Sequence, residues 1–365
     1  MLESEIAKFD DTMGIEFSAT PPSSWCVRPE FHELDKTILK KHWQFVASVD
    51  QFQQPGAYVA GEFCDEPYLI TKTESGELKA FYNVCQHHAA QLLHGAGCAK
   101  EIVCPYHAWS YGLDGKLKKA PHMAGIKNFN RETLSLKSIP LMVWNKFVLL
   151  NFSGSPIEFD PELSVLDEML IAADTAKLQF RGRRTYHINC NWKVYIDNYL
   201  DGGYHVDHLH KGLAGQLDLN QYKVQNFKRW TLQSCIGAKD PTPSESIDFK
   251  ERIGSEALYA WLHPNFMINR YGPIMDTNWI IPVAPEKCLT VFDYYFMEGA
   301  SDRFVEASIK ASEQVQIEDV AICESVQKGM RSSGYETGRY SPTLETGEYL
   351  FHSLTKRDYL ANLRA

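Results

Sequence analysis

The chain has 365 residues, of which 44% are hydrophobic, and its formal net charge is −9 at pH 7. This length is sufficient to bury two cores, one of about a hundred residues and one larger. Acidic residues are spread along the chain and no dense basic tract occurs, which argues against nucleic acid as a partner. No apolar run reaches the roughly twenty residues that span a bilayer, so no membrane partner is expected.

The start of the chain and its cysteines predict the compartment. Residues 1–11 are acidic and lack the basic character of a signal or transit peptide, so an organellar targeting segment is absent unless one has been removed upstream. The nine cysteines are an odd number, and the sites described below need free thiolates, which indicates a reducing compartment. A cytoplasmic protein is therefore expected.

The first half of the chain predicts a helix followed by a β domain. Apolar residues recur at helical spacing from residue 30 to residue 45, and we expect residues 1–42 to pack on a larger catalytic domain. Alternating runs then predict a small antiparallel, barrel-like β domain over residues 43–153. Its predicted strands are residues 58–62, 68–73, 78–84 and 141–151.

The second half shows a mixed pattern. A linker-like run at residues 152–156 leads into residues 154–365, where strand-like runs occur at 184–189, 265–271, 277–282 and 288–296. Helices are predicted at 163–174 and 191–201, and a long helix at 303–330 closes the chain. Strands with segregated helices predict an α+β fold, in which the small β domain is joined to a catalytic domain with an antiparallel sheet flanked by helices.

Two cysteine and histidine pairs lie within the predicted β domain. Cys85-x-His87 and Cys104-Pro-Tyr-His107 supply two thiolates and two imidazoles, as in a [2Fe-2S] cluster whose second iron has histidine ligands. A structural zinc site uses the same ligands, but zinc fingers place their histidines three to five residues apart on a helix. Here each histidine follows its own cysteine in a loop, so the spacing favours a cluster that receives electrons from a reductase.

A second metal site is predicted in the catalytic domain. Three histidines and three aspartates lie within residues 197–210, and Asp319 lies in a helical stripe with Val315, Ile322, Cys323, Val326 and Met330. A carboxylate on a buried face costs several kcal/mol unless it is paired or coordinates a cation. His205, His210 and Asp319 together form a two-histidine, one-carboxylate triad for Fe(II). A salt-bridged Asp319, or His208 as a competing ligand, is the alternative.

Several longer motifs carry a resemblance. The chain is similar to the Rieske non-haem iron oxygenase alpha subunits over nearly its whole length, and to the choline monooxygenase group among them. The matching segments are 104–109, 191–194, 197–206, 254–260, 264–273, 275–278 and 318–327. Ala108 departs from the family, which usually has glycine at this position.

The resemblance implies roles for individual residues. It makes His205, His210 and Asp319 the iron ligands and places Asn198 close to the metal. It also implies a head-to-tail homotrimer in which each cluster serves the iron of the next subunit through an acid three residues before the first ligand histidine. That position is Gly202 here, so either Asp201 or Asp207 carries the bridge.

The resemblance also implies a substrate class. A small quaternary ammonium compound would be hydroxylated with O2 and electrons from a flavin and iron–sulfur reductase or a ferredoxin. Choline oxidation to betaine aldehyde, a step of glycine betaine biosynthesis, is the first expectation; carnitine or glycine betaine demethylation and aromatic-ring dioxygenation are alternatives. Aromatic rings attract a trimethylammonium group by about 0.5–2 kcal/mol each. The candidate rings are Tyr204, Trp261, Phe266, Tyr271 and Tyr295.

Two other classes of protein remain as rivals. A pure electron carrier would need no second iron, so an iron count per chain separates it from an oxygenase. A zinc-stabilised binding module would be colourless, whereas an iron–sulfur cluster is coloured.

Overall fold

The computed structural model describes residues 2–154, 163–239 and 249–364, and of residues 249 and 250 it describes the backbone. The chain forms two compact units, one of residues 40–154 and one that joins residues 2–39 to residues 163–364. Residues 155 and 156 of the predicted linker lie outside the described residues. Helices and antiparallel sheets make up the described chain, which confirms the predicted α+β class.

The smaller unit consists of short strands. They are β1 (Gln44–Ser48), β2 (Ala57–Phe63), β3 (Glu66–Lys72), β4 (Leu78–Tyr82), β5 (Ala96–Cys98), β6 (Ile102–Val103), β7 (Ser110–Tyr111), β8 (Leu117–Lys119), β9 (Leu141–Trp144) and β10 (Phe147–Leu150). Their sheets have the orders β4-β3-β2-β5, β6-β7-β8 and β1-β10-β9. The barrel-like closure that we expected is wrong for the described residues, because two cysteine loops interrupt the chain and the strands β5 to β8 are too short to join the sheets.

Two local predictions in this unit need correction. The N-terminal helix ends at Lys41, and Phe45 lies in β1 opposite Leu149. Phe45 packs edge-on against the rings of Trp144 and Phe147, so its apolar side chain serves a sheet rather than a helix face. The predicted strand at residues 141–151 is a hairpin of β9 and β10.

The described α-helices belong to the larger unit, apart from the last two residues of α3. They are α1 (Leu2–Ile6), α2 (Ser24–Val27), α3 (Pro29–Lys41), α4 (Leu163–Ala172), α5 (Trp192–Leu200), α6 (Val206–Leu209), α7 (Lys211–Ala214), α8 (Phe249–Ile253), α9 (Asp302–Met330) and α10 (Thr346–Leu363). The long helix α9 therefore does not close the chain. We missed α10 because its buried face includes Glu348, His352, Ser353 and Thr355, which removes the apolar period. No helix of the described residues is both long and apolar enough to cross a membrane.

A seven-stranded antiparallel sheet is the centre of this unit. Its strands are β11 (Leu178–Ile188), β12 (Lys223–Asn226), β13 (Trp230–Ile236), β14 (Glu256–Leu262), β15 (Phe266–Tyr271), β16 (Ile274–Ala284) and β17 (Lys287–Met297). The order is β11-β17-β16-β15-β14-β13-β12. The sheet and its helices match the predicted catalytic domain architecture, although β12, β13 and β14 were not foreseen.

Helix α5 contacts β16 and β17 of the sheet and also contacts α9. Asn191 caps α5 by accepting a hydrogen bond from the backbone N–H of Lys193, and Ser301 caps α9 in the same way from Phe304. The buried face of α9 is largely polar, with Ser308, Ser312, Gln316, Asp319, Cys323 and Gln327.

The predicted stripe on α9 is therefore only partly correct. Asp319 and Cys323 are buried, whereas Ile322 and Val326 are exposed. Polar groups of α5 face this helix, so the buried face of α9 is polar as well. Tyr195 Oη, for example, donates to Gln316 Oε1 at 2.7 Å.

Candidate metal centres and substrate cavity

Two loops of the smaller unit present the predicted cluster residues. Cys85 and His87 follow β4, while Cys104 and His107 follow β6. Both cysteines are free thiols inside the core of this unit, and the two histidine rings lie nearer the surface with their centroids 4.8 Å apart. The structure therefore brings the four residues to one edge of the unit, with sulfur inside and imidazole outside.

The backbone of the two loops is similar. The N–H of Ala89 donates to the carbonyl of Cys85 at 2.9 Å, and the N–H of Ala108 donates to the carbonyl of Cys104 at 3.1 Å. Ala89 has a φ of 59° and Ala108 a φ of 55°, both in the left-handed region. This region costs an L-residue about 1–2 kcal/mol. Ala108 therefore keeps the conformation that glycine adopts easily, although the side chain differs from the family pattern.

His87 has the surroundings of a metal ligand. Its ring stacks on Trp109 with centroids 4.6 Å apart, and its Nδ1 is buried without a hydrogen-bond partner among the described residues. Burial, His88 and His107 lower the pKa of His87, which keeps the imidazole neutral. A buried imidazole nitrogen without a partner is costly unless a metal occupies its lone pair. The residues present therefore fit a cluster iron at this position.

Tyr111 lies behind the first cysteine. Its hydroxyl accepts a hydrogen bond from the backbone N–H of Gln86 at 3.0 Å and lies 3.3 Å from Cys85 Sγ. Since an N–H can only donate, the Tyr111 proton is free to point at the sulfur. Burial and the contact with Cys85 raise the pKa of Tyr111 well above its ordinary value, so the hydroxyl keeps that proton.

The short helix α6 positions the two histidines of the predicted triad. His205 precedes this helix and His210 follows it, so their Nε2 atoms lie 3.0 Å apart. Asp319, from the middle of α9, places Oδ1 3.0 Å from His210 Nε2 and 3.9 Å from His205 Nε2. His208 is exposed and does not join this group. The two ends of α6 and the middle of α9, more than a hundred positions apart in the chain, thus converge on one point.

Each of the two imidazoles also contacts a carboxylate other than Asp319. His205 Nδ1 lies 2.5 Å from Asp201 Oδ2, and His210 Nδ1 lies 2.8 Å from Glu318 Oε2. Because a carboxylate accepts, each Nδ1 carries the proton and each Nε2 presents a lone pair. Two lone pairs that face each other beside a third acceptor, Asp319, need a cation between them. The donor set therefore fits Fe(II), for which two histidines and one carboxylate are typical ligands.

Charges around His210 are balanced by its neighbours. Burial lowers the pKa of His210, but the contacts with Asp319 and Glu318 outweigh burial and raise it above the ordinary value. Carboxylates at both ring nitrogens thus favour a positive charge at Nε2, which a proton or a metal ion can supply. Burial raises the pKa of Glu318, and the hydrogen bonds from His210 and Gln314 more than reverse that effect. Glu318 is thus an ionised partner of His210, and we did not single it out from the sequence.

Asp319 is oriented by amide groups. Asn198 Nδ2 donates to Asp319 Oδ1 at 2.9 Å, and Gln316 Nε2 donates to Asp319 Oδ2 at 3.3 Å. Asn198 lies on α5 and Gln316 lies one turn before Asp319 on α9. The two amides hold the carboxylate towards the histidines.

The acids near the first histidine differ in their contacts. Asp201 accepts hydrogen bonds from the backbone N–H groups of Gly203 and His205 as well as contacting the imidazole of His205. Asp207 is exposed. Gly202 has a φ of 70°, and a Cβ at this position would overlap the carbonyl of Leu344. No acidic side chain can therefore replace Gly202 in this fold without a shift of the backbone.

A cavity of about 150 Å³ lies between the sheet, α5 and α9, and the triad forms part of its wall. Aromatic rings and two buried charged residues, Arg252 and Asp276, form other parts of the wall. The rings belong to Tyr195, Tyr199, Tyr222, Tyr259, Tyr271 and Phe292. A small molecule with an apolar, cationic head could enter next to the predicted triad.

The five rings proposed from sequence occupy different places. Tyr271 lines the cavity, whereas Tyr204 is 63% exposed and lies outside the lining. Trp261 is fully buried and donates to the carbonyl of Pro264 at 3.2 Å. Phe266 and Tyr295 are buried but do not line the cavity. Side chains of a strand alternate between faces, so the strand register decides which rings reach this space.

Arg252 and Asp276 were missed in the sequence. The sequence carried a signal for Asp276. Asp276 and Asn278 are polar residues two positions apart on one face of β16, within a stretch of this strand that is otherwise buried. Arg252 gave no comparable signal. It lines the cavity because its guanidinium, on α8, lies over the ring of Tyr271 on β15.

Comparisons with known proteins agree with this geometry. The Rieske [2Fe-2S] domain model matches residues 42–130, and the ring hydroxylating alpha subunit (catalytic domain) model matches residues 175–360. These two models imply a [2Fe-2S] cluster and a mononuclear iron.

Individual relatives cover nearly the whole chain. The chloroplastic choline monooxygenase of Arabidopsis thaliana is 41% identical over 96% of this chain and 85% of its own length. The carnitine monooxygenase oxygenase subunit of Escherichia coli is 31% identical over 87% of this chain and 88% of its own. A solved quaternary ammonium Rieske monooxygenase, described for carnitine oxidation and inter-subunit electron transfer, has a TM-score of 0.88 at 28% identity and covers 96% of this chain and 99% of its own.

Proposed function

The chain belongs to the Rieske non-haem iron oxygenases, as a quaternary ammonium monooxygenase, and from this premise we propose that it hydroxylates choline with O2 to give betaine aldehyde. The observation that carries the proposal is the aromatic cavity whose wall includes His205, His210 and Asp319. The choline monooxygenase relative, at 41% identity, supports choline as the first substrate.

The bound cofactors supply the electrons and the O2 activation that hydroxylation of a C–H bond requires. We assign Cys85, His87, Cys104 and His107 to the cluster and His205, His210 and Asp319 to the iron. Asp201 and Glu318 hold the two imidazoles with their Nε2 lone pairs pointing inwards, while Asn198 orients the carboxylate. Such outer partners fix the tautomer and orientation of a metal-binding histidine.

Asp201 is the better candidate for the acid that links the iron site to a cluster. It contacts the proton-bearing Nδ1 of His205, whereas Asp207 points to solvent. The same proposal includes a head-to-tail homotrimer and an electron donor of the flavin and iron–sulfur reductase or ferredoxin type. The likeness to a structure described for inter-subunit electron transfer supports this assembly.

The domain boundaries and compartment are part of the proposal. We take residues 1–42 as an N-terminal segment of the catalytic domain, 43–153 as the Rieske domain and 154–365 as the catalytic domain. The two compact units and the ranges of the family models support these limits. A reducing compartment such as the cytoplasm is supported by the nine free cysteines.

Carnitine is a second candidate substrate because of Arg252. This guanidinium is 6% exposed and lines the cavity, and its Nε has no hydrogen-bond partner among the described residues. A buried guanidinium is stabilised when it pairs with an anion, and carnitine carries a carboxylate where choline carries none. If carnitine is the substrate, Arg252→Gln weakens carnitine binding more than choline binding, because only carnitine carries a carboxylate that this guanidinium can pair with.

The test is a single turnover, which does not need the natural electron donor. Iron-loaded protein is reduced with dithionite, mixed with O2 and one of choline, L-carnitine, glycine betaine or benzoate, and the products are identified by mass spectrometry. We expect betaine aldehyde from choline, and no product with Asp319→Ala. A hydroxylated benzoate without any product from the three quaternary ammonium compounds would overturn the proposal.

A further inference from the structure

Asp276 is a buried carboxylate that lines the cavity and does not contact the proposed metal ligands. It lies on β16 and is 3% exposed. Tyr271 Oη donates to Asp276 Oδ2 at 2.6 Å, and Asn269 Nδ2 donates to Asp276 Oδ1 at 2.7 Å. Both donors come from the neighbouring strand β15, so the carboxylate is fixed in position before any ligand arrives.

The negative charge of Asp276 is only partly balanced by the protein. Burial raises the pKa of Asp276, and the hydrogen bonds from Tyr271 and Asn269, with the more distant charge of Arg252, oppose that effect without cancelling it. Arg252 reaches the carboxylate through Tyr271, whose hydroxyl it contacts at 3.4 Å. The other titratable groups that face Asp276 are phenols, which are neutral at ordinary pH: Tyr186, Tyr199, Tyr259 and Tyr294.

A quaternary ammonium group has particular needs in such a cavity. It carries a permanent positive charge but no N–H, so it cannot donate a conventional hydrogen bond and is recognised by charge and by aromatic faces. The rings of Tyr259, Tyr271 and Phe292 line the same space as Asp276. In a cavity of low dielectric constant, a fixed carboxylate attracts a cation over several ångströms without touching it.

We propose that Asp276 is the counter-ion for the quaternary ammonium head of the substrate and selects a cation over an uncharged molecule of the same shape. This inference rests on the proposed function and assigns a substrate-recognition role within the same cavity. The aromatic rings accept the methyl groups, while Asp276 supplies the charge that rings alone provide weakly. Tyr271 and Asn269 act as positioning residues, because they hold the carboxylate and keep it from turning towards Arg252.

The experiment compares a cation with its uncharged isostere. The probes are choline and neohexyl alcohol, in which a carbon atom replaces the choline nitrogen, and binding to the iron-loaded protein is measured by calorimetry. We expect the wild type to prefer choline, and Asp276→Asn to raise the dissociation constant of choline by about 10- to 100-fold while that of neohexyl alcohol changes little. If the wild type binds carnitine rather than choline, the two probes are carnitine and its analogue in which a carbon atom replaces the nitrogen.

Asp293→Asn is the matched control. Asp293 is a buried carboxylate on β17 of the same sheet, but it pairs with Arg183 at 2.6 Å and lies outside the cavity lining. We expect this variant to keep the wild-type preference. An unchanged dissociation constant of choline in Asp276→Asn, or an equal loss for both probes, would overturn the role of Asp276. A wild type that binds none of the quaternary ammonium compounds would instead overturn the proposed function.

A measurement on the wild type covers the case in which Asp276→Asn does not fold. A bound cation favours the ionised carboxylate, so at a pH at which Asp276 is protonated in the free protein, binding must release that proton. Choline binding therefore weakens as the pH falls through the raised pKa of Asp276, whereas neohexyl alcohol binding does not. Parallel pH profiles for the two probes would contradict the inference.

Discussion

The hydroxyl of Tyr111 offers a quantitative test of the cluster site. The Tyr111 hydroxyl lies 3.3 Å from Cys85 Sγ. A thiolate bound to the proposed cluster can only accept, so Tyr111 would be the donor, and this hydrogen bond would strengthen when reduction places more charge on sulfur. We therefore expect Tyr111→Phe to lower the reduction potential. A net hydrogen bond contributes about 1 kcal/mol. Since about 1.4 kcal/mol corresponds to a tenfold change and to about 59 mV for one electron, the expected decrease is about 40 mV.

The assay is a potentiometric titration of the purified protein, followed through the visible absorbance of the cluster. Tyr82→Phe is the control, because the Tyr82 hydroxyl donates to the carbonyl of Phe152 at 3.4 Å rather than to a cysteine. Both variants should keep the absorption spectrum. Equal reduction potentials for the wild type and Tyr111→Phe would refute the assigned hydrogen bond. An equal decrease of the potential in Tyr82→Phe would show that the effect does not depend on a hydrogen bond to the sulfur.

Further predictions concern the metal ligands and their supports. Asp319→Ala abolishes turnover and releases the mononuclear iron but keeps the cluster spectrum; full activity would remove Asp319 as a ligand. His107→Ala loses that spectrum, and an unchanged signal would count against the cluster assignment. Glu318→Gln lowers the affinity for Fe(II) by about 10- to 100-fold in a metal titration, because His210 loses its charged partner. Gly202→Asp lowers the melting temperature, at a cost of at least about 2 kcal/mol, since its side chain meets the carbonyl of Leu344; a wild-type melting temperature would disprove the overlap.

Local spacing predicted the proposed cluster residues and two of the proposed iron ligands. Cys85 and His87 are two positions apart, and His205 and His210 are five apart, so each pair reaches its site through a few residues of backbone. Asp319 was recognisable for a different reason, because an acid on a buried helix face requires a positive partner. The detail of that face was wrong, since Ile322 and Val326 are exposed.

The strands around the cavity were harder to predict. The segment of β14 has buried residues on both faces, and its sheet register is set by pairing with β13 and β15. Among the proposed rings, Tyr271 reaches the cavity. Tyr295 does not, because it lies on the face of β17 opposite to that of Phe292, which lines the cavity. Aromatic content alone could not distinguish them, because a ring in the core and a ring in a cavity have the same sequence signature.

The sequence by itself determined the ligand types, their spacing within each loop and the α+β class, because these depend on chemistry and on contacts within a few residues. Tertiary structure alone decided which groups meet across large separations: Glu318 with His210, Tyr111 with Cys85, and Asp276 with the cavity. These contacts follow from the packing of α9 against its neighbours and from the pairing and packing of the sheets within each unit. Both arise from the burial of whole faces, a collective quantity that no single segment of the chain encodes.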